Sequence, residues 1–254
     1  AAYGAAYEKC NQRLHDDKRI DDSVSGTTAV SAWIQGRTVK VANIGDSRVV
    51  VARWDEGKGQ LAAVALSRDQ TPYRKDERER CKAAGARVMS MDMLDGIVPM
   101  SDDWGDDDVE LGEVVDTAGD PPRIWHPTEK YPGNAFTRSV GDALSEPMGV
   151  FATPEVSTFE LDDRCEFLVV ASDGIWEFLT NQAVVDAAAQ FLDPAEACDH
   201  LVKRAYHTWL DNEVRTDDIT CIVVHVFPEA GDGGRGRKRS TGARVGGKRS
   251  ENNK

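Results

Sequence analysis

The stretch from Ser25 to Trp54 constrains the fold more than any other part of the chain, because short apolar segments alternate in it with tight turns. Every second residue from Val30 to Ile34 is apolar, which is the spacing of side chains on one face of a β-strand. The connections at Gly36 and Gly45 are too short for the crossover that joins parallel strands. The stretch therefore predicts an antiparallel meander.

Helix and strand signals continue through the rest of the chain. Thr71 followed by Pro72 predicts the start of a helix, and Gly85 fits just past its end. Apolar periodicity predicts further strands over Glu155–Glu160, Cys165–Ala171 and within Asp218–Phe227, and further helices over Ala2–Arg19, Asn181–Phe191 and Pro194–Leu210. Between Ser90 and Gly133 the sequence is irregular and predicts an exposed loop or insertion.

Charge is distributed unevenly along the 254 residues, whose formal net charge is −13. From Glu229 onward there are eight Lys or Arg residues and three acidic residues, so residues 1–228 carry a net charge of about −18. A strongly negative surface disfavours nucleic acid as a partner, and low-complexity basic sequence is typical of disorder. We therefore expect one folded domain over residues 1–228 that does not bind nucleic acid, and a disordered basic tail over 229–254.

Apolar runs and cysteines limit the class of protein further. The apolar run Phe167–Ala171, like every other apolar run in the sequence, is far short of the ~20 residues that a membrane-spanning helix needs. The five cysteines show no C-x-x-C spacing, which predicts neither a disulfide framework nor a thiolate zinc site. These features favour a protein of the cytoplasm, the nucleus or both, without a membrane partner.

Acidic residues recur where apolar strands begin or end. Asp46 follows one predicted strand, Asp173 follows another with Glu177 four residues later, and Asp217 precedes the last one. Each acid alone is compatible with a simple turn. If they meet at one rim of a sheet, two carboxylates ~4 Å apart repel by ~4 kcal/mol at an effective dielectric constant near 20, and a cation between them offsets this. Oxygen ligands without His or Cys suit Mg²⁺ or Mn²⁺.

A second acidic feature is the run Asp102–Asp116, which contains eight acidic residues and no basic one. It suggests an alternative function, an unrelated acidic domain that binds cations through this run. The run lacks the ligand spacing of an EF-hand, because Gly105 falls where an oxygen ligand should recur. A solvated loop is the interpretation that the pattern favours.

Six motifs resemble, in chain order, those of the metal-dependent Ser/Thr protein phosphatases of type 2C, also called the PPM type. They are SGTTA (25–29), VANIGDSR (41–48), LSRDQTP (66–72), AFTRSVGDAL (135–144), ASDGIWEFL (171–179) and TDDITCIVV (216–224). The resemblance implies an α+β fold, a four-layer α-β-β-α sandwich of two antiparallel sheets flanked by helices, here incomplete at the N-terminus.

The same resemblance implies a site and a reaction. Asp173 and Asp217 would be direct ligands of two divalent ions, Mg²⁺ or Mn²⁺. Asp46 and Glu177 match positions associated with a third, more weakly held ion, and many relatives have Asp in place of Glu177. Arg138 and Asp142 are interpreted as mainly structural. The implied reaction is hydrolysis of phosphoserine and phosphothreonine in phosphoprotein substrates by a metal-activated water.

The resemblance also implies parts that this sequence does not contain. Type 2C phosphatases carry an early Arg, a Glu-Asp pair and a D-G-H-G-G motif ahead of S-G-T-T-A, and their phosphate-binding arginine lies in that segment. We therefore expect part of a longer phosphatase, weak or inactive by itself. The alternative is a catalytically inactive relative that serves as a binding or regulatory module. The segments PPRIWHP and YPGNAFTRSVGDA also resemble plant and algal phosphatases fused to cyclic-nucleotide-binding and kinase domains.

Overall fold

The computed structural model describes residues 2–101, 104, 111–113 and 119–227. The basic tail over 229–254 and most of the acidic run Asp102–Asp116 lie outside these residues, so the domain boundary and the interpretation of both segments stay predictions. No helix in the described part of the chain combines the length and the apolar character that crossing a bilayer requires.

The described residues form twelve β-strands and seven helices. The strands are β1 (Gly26–Thr27), β2 (Ala29–Gln35), β3 (Thr38–Ile44), β4 (Arg48–Asp55), β5 (Gln60–Ala65), β6 (Arg87–Met89), β7 (Arg123–Trp125), β8 (Pro132–Asn134), β9 (Val140–Gly141), β10 (Glu155–Glu160), β11 (Cys165–Ala171) and β12 (Cys221–His225). The helices are α1 (Ala2–Asp16), α2 (Lys75–Ala83), α3 (Met91–Leu94), α4 (Asp173–Trp176), α5 (Asn181–Ala188), α6 (Pro194–Asn212) and a 3₁₀ helix (Ala143–Met148).

Two antiparallel sheets form the centre of the fold, one with strand order β12-β11-β4-β5 and one with order β10-β3-β2. The predicted meander is therefore wrong at one point, because β3 and β4 belong to different sheets. Val39 and Val41 of β3 share one buried cluster with Val49 and Val51 of β4. The two strands thus face each other across the sandwich, and their valines form part of its core.

Strand β4 is apolar at consecutive positions because both of its faces are covered. Val49 and Val51 face the second sheet, whereas Val50 and Ala52 face the helices α5 and α6, and all four side chains are fully buried. A strand covered on both faces needs apolar side chains at consecutive positions. Full burial of a valine side chain contributes roughly 1.5–3 kcal/mol to folding.

Helix α1 covers the outer face of the three-stranded sheet. The Tyr7 hydroxyl lies 2.9 Å from Ser31 Oγ and donates to the Ala42 carbonyl at 3.1 Å. Tyr7 and Leu14 pack against the buried Ile44. With α5 and α6 on the opposite side, the order of layers is helix, sheet, sheet, helix, so the predicted four-layer sandwich of antiparallel sheets is confirmed.

Two expectations about local structure are wrong. The helix predicted from Thr71 begins at Lys75, because Arg74 is extended and its guanidinium is held by Asp76 and Glu155. The segment 90–133, predicted to be irregular, contains β7 and most of β8. These strands form a small antiparallel sheet with β6, in the order β6-β7-β8.

A histidine joins α1 to two other segments. His15 Nδ1 lies 2.5 Å from Asp22 Oδ2, and His15 Nε2 lies 2.9 Å from Glu146 Oε1 in the 3₁₀ helix. Burial acts to lower the pKa of His15, but the hydrogen bonds and charges of Glu146 and Asp22 outweigh it and raise the pKa above its usual range. The folded protein therefore favours the imidazolium form.

We expect His15→Gln to destabilise the protein more at pH 6 than at pH 8.5. A pKa raised by folding gives stabilisation that is complete below the unfolded value of about 6.5 and is lost as the pH rises through the folded value. Because Glu146 is partly exposed to solvent, the pH-dependent difference should be about 1 kcal/mol or less. Urea unfolding of both proteins at the two pH values measures it, and equal losses at both would contradict the expectation.

Candidate metal centre

Asp46 lies in the turn that takes the chain from β3 to β4. Gly45 has a positive φ of 88°, and a Cβ there would lie 2.4 Å from Thr28 Cγ2, so the turn requires glycine. The Gly45 N–H donates to Gln70 Oε1 at 2.7 Å, and Gly45 O accepts from the Gln70 N–H at 3.0 Å. These contacts fix the position of Asp46 at the end of the sandwich.

Asp173 is the first residue of α4, two positions after the end of β11. The Gly174 N–H donates to Asp173 Oδ1 at 2.9 Å, which holds the carboxylate at the helix start. A Cβ on Gly174 would lie only 2.4 Å from the Asp218 carbonyl oxygen. Glycine at this position thus lets α4 lie directly against the loop that carries Asp217.

Asp217 lies in the loop before β12, where the Asp218 N–H donates to Asp217 Oδ1 at 2.7 Å. Strand register places this loop beside the other two acidic segments. Ala171 of β11 is paired with Cys221 of β12 on one side and with Arg48 of β4 on the other. The start of β4, the end of β11 and the start of β12 therefore lie side by side at one end of the four-stranded sheet.

The four predicted ligands all line one cavity at this end: Asp46, Asp173, Glu177 and Asp217. Within the described ranges, no three of them bring carboxylate oxygens within 4.8 Å of one another. The four carboxylates therefore surround one cavity, but no three of them are close enough to meet at a single point. Their role as ligands stays a prediction, whereas their convergence on one cavity is a feature of the structure.

Burial and mutual repulsion both raise the pKa values of two of these acids. Burial raises the pKa of Asp46 well above its usual range, and the charges of Asp173, Asp69 and Glu177 add to the rise. Burial, followed by the charge of Asp217, raises the pKa of Asp173 to about 6. Ionised carboxylates are thus unfavourable here without a compensating positive charge.

Arg48 does not supply that compensation, because another acid already binds it. Its Nε and Nη2 donate to the two carboxylate oxygens of Asp69 at 2.8 and 2.6 Å, and its Nη1 donates to Asn181 Oδ1 at 2.8 Å. Its guanidinium also stacks on the Trp176 ring, 5.1 Å from the centroid. Asp69 is not among the predicted site residues, although its position inside the LSRDQTP motif was an available signal.

A separate group of carboxylates lies outside this cavity. Among the residues that the structure describes, Asp76, Glu77 and Glu155 form the only trio close enough to share one ion through one oxygen each. Three arginines make ion pairs of 2.5–2.7 Å with these acids: Arg74, Arg80 and Arg138. The arginines already neutralise this trio, so we interpret it as a structural ion network.

The two residues interpreted as structural make structural contacts. Arg138 donates to the buried Glu77 and, at 2.9 Å, to the Thr153 carbonyl. Asp142 accepts from Ser139 Oγ at 2.7 Å, and its N–H donates to the Ser25 carbonyl at 2.9 Å. These bonds connect the AFTRSVGDAL motif to α2 and to SGTTA.

The donor set of the cavity fits divalent cations that prefer oxygen. Its titratable lining residues are carboxylates, two arginines and Tyr73, with no His or Cys among the described lining residues. Hard ions such as Mg²⁺ and Mn²⁺ select carboxylate oxygens. The raised pKa values of Asp46 and Asp173 are those expected of acids arranged around a cation.

Known proteins with related sequences point to one family. A family model described as "Protein phosphatase 2C" matches residues 2–212. Probable protein phosphatase 2C 35 of Arabidopsis thaliana is 48% identical over 226 residues, which cover 89% of this chain and 62% of the relative. Probable protein phosphatase 2C 61 of the same plant is 33% identical over 217 residues, covering 84% and 59%. The chain thus spans about three fifths of the length of these relatives.

Solved structures share the fold of this chain. A serine-threonine phosphatase 2C from Toxoplasma gondii superimposes with a TM-score of 0.65 at 17% identity, covering 85% of this chain and 63% of its own. A sex determining protein of C. elegans gives 0.56 at 16%, covering 87% and 51%.

The α-β-β-α sandwich with a carboxylate cavity at one end is therefore the phosphatase 2C architecture. The chain belongs to the protein phosphatase 2C family, and the alternative of an unrelated acidic cation-binding domain is wrong.

Proposed function

We propose that this chain is the catalytic part of a metal-dependent phosphatase that hydrolyses phosphoserine and phosphothreonine in proteins. The observation that carries the proposal is the convergence of Asp46, Asp173, Glu177 and Asp217 on one cavity in a chain of this family. Because the chain covers about three fifths of its relatives, the activity, substrates and partners of the whole protein are part of the proposal.

Asp173 and Asp217 are the proposed direct ligands of two ions, and Asp46 and Glu177 the proposed ligands of a third. Bound Mg²⁺ or Mn²⁺ would lower the pKa of a water and offset charge on the phosphoryl oxygens. The contact of Gly174 with Asp218 keeps the two principal carboxylates at adjacent positions. The Trp209 Nε1–H donates to the Gly174 carbonyl at 2.8 Å and so fixes the start of α4 from the side of α6.

Two finer expectations stay predictions. Fusion to cyclic-nucleotide-binding and kinase domains rests on the PPRIWHP and YPGNAFTRSVGDA segments alone. A location in the cytoplasm or nucleus rests on the reduced cysteines and the short apolar runs.

Phosphate release from a phosphothreonine peptide tests the proposal. We expect release by the 254-residue protein to require Mn²⁺ or Mg²⁺ and to stop when EDTA is added, because the nucleophile of the proposed reaction is a water that the bound metal activates. A phosphotyrosine peptide of the same sequence is the matched control and should react more slowly. Equal release with and without metal would contradict the proposal. Metal binding without release would fit a partial site that is inactive by itself as well as the inactive module.

A further inference from the structure

Arg123 lies between the acidic cavity and a second hollow beside it. It is the first residue of β7 and follows two prolines. Its side chain contributes to the cavity that Asp173 and Asp217 line. It also contributes to an adjoining groove, which we define by Phe178, Trp209, Glu213 and residues 215–218. Arg123 therefore lies where the cavity and the groove meet.

Within the part of the chain that the structure describes, the hydrogen bonds of Arg123 leave one side of its guanidinium without acceptors. Nη1 donates to the Gly133 carbonyl at 3.0 Å. Nε is buried and has no hydrogen-bond partner, and within the described residues Nη2 has no hydrogen bond either. Nε and Nη2 together form the fork that binds a phosphate or carboxylate through two parallel hydrogen bonds.

The acceptor of the Arg123 bond is fixed in place. Gly133 has a positive φ of 80°, and a Cβ there would lie 2.7 Å from the Trp125 ring. The Trp125 Nε1–H donates to the Met89 carbonyl at 2.8 Å, which joins β7 to β6. Arg123 is thus anchored on a rigid three-stranded sheet, as a preorganised binding residue should be.

Arg48 and Arg123 are the two cationic side chains among the described lining residues of the cavity. Arg48 uses its fork on both oxygens of Asp69 and is nearly inaccessible to solvent. Arg123 uses one nitrogen on a neutral carbonyl. Of the two cations, Arg123 is therefore the one with charge and donors left for an anionic ligand.

We propose that Arg123 binds the phosphoryl group of the substrate through Nε and Nη2. The inference rests on the proposed function and adds a substrate-binding residue to it. A buried N–H without an acceptor is unfavourable, and a phosphoryl oxygen would remove that defect. Since Nε is buried, the guanidinium must rotate slightly about its bond to Gly133 as the phosphoryl group enters.

Calorimetric titration of phenylphosphonate, a phosphate analogue that is not hydrolysed, tests the proposal on the Mn²⁺-saturated 254-residue protein. Arg123→Lys keeps the charge but loses the fork, and Arg123→Gln keeps a donor for Gly133 but loses the charge. Arg215→Lys is the matched control, since Arg215 lines the groove and not the cavity. Mn²⁺ affinity is titrated separately for every protein.

We expect both Arg123 variants to bind phenylphosphonate at least tenfold more weakly than wild type, with Mn²⁺ affinity changed less than twofold. Arg215→Lys should match wild type in both titrations. Unchanged phenylphosphonate affinity in the Arg123 variants, or an equal loss in Arg215→Lys, would overturn the contact while leaving the metal centre intact. Failure of wild type to bind Mn²⁺ would refute the proposed function and the Arg123 inference with it.

Discussion

Asp173→Asn is expected to make the metal-free protein more stable and to remove most of its response to Mn²⁺. The pKa of Asp173 is raised to about 6 by burial and by the charge of Asp217. A carboxylate whose pKa is raised by folding favours the folded state below its unfolded pKa of about 3.9, and this advantage is lost as the pH rises through 6. At pH 7.5 the ionised side chain is therefore a cost of about 2–3 kcal/mol, which asparagine avoids.

The amide can still accept the hydrogen bond from the Gly174 N–H, so the helix start should persist. Mn²⁺ at a hundred times its dissociation constant stabilises a protein by about 2.7 kcal/mol, and the variant should lose nearly all of this gain. Thermal unfolding with and without Mn²⁺ measures both effects. Asp211→Asn, an exposed acid on α6, is the control and should behave as wild type. A metal-free variant less stable than wild type, or one with an undiminished Mn²⁺ response, would count against the proposed centre.

Glu77→Gln is expected to destabilise the protein by about 3–5 kcal/mol, the usual cost of removing one partner from a buried ion pair. Glu77 is 1% exposed and accepts from Arg138, Arg80 and Thr137. Burial alone would raise its pKa, but the bonds from these three residues lower it below its usual range. Glutamine removes the Glu77 charge from the guanidinium groups of Arg80 and Arg138, and among the described residues Arg138 then keeps only its 3.3 Å ion pair with Glu155.

Urea unfolding at pH 7 measures the loss, with Glu79→Gln on the exposed face of the same helix as the control. Glu79→Gln should change the free energy of unfolding by less than about 0.5 kcal/mol. Mn²⁺ titration gives a second reading, because a structural ion network predicts unchanged affinity in Glu77→Gln. A loss below 1 kcal/mol, or a large fall in Mn²⁺ affinity, would show that the Glu77 group has been misinterpreted.

The convergence of Asp46, Asp173 and Asp217 could be anticipated from sequence because each acid adjoins an apolar strand. The ends of paired strands lie together at the rim of a sheet whatever the conformation of the loops. The predicted convergence of the three acids therefore depended mainly on locating the strands. Asp69 and Arg123 could not be found in that way. Both enter the cavity from loops or very short strands, whose positions depend on contacts such as Arg48 with Asp69 that join distant parts of the chain.

Local signals failed where tertiary contacts decide the conformation. Thr71 and Pro72 are good helix-start residues, yet the helix begins only at Lys75. Arg74 stays extended because its guanidinium binds Glu155, 81 residues further along the chain. The three-residue strands β6, β7 and β8 are too short for any periodicity to show. The chain also passes from one sheet to the other at Asp46, between β3 and β4. This change of sheet depends on the packing of the β3 valines against the β4 valines, which local sequence does not show.

The two ends of the four-stranded sheet should tolerate insertions to different degrees. The turn from β4 to β5, over Glu56–Gly59, lies at the end remote from the acids, and its residues are exposed. Lengthening that turn leaves the pairing of Ala171 with Arg48 and Cys221 intact. An added residue inside β11 would instead shift the pairing by one position and send alternate side chains to the opposite face. Homologous chains should therefore differ in length at the remote end while keeping the strand lengths that set the acids side by side.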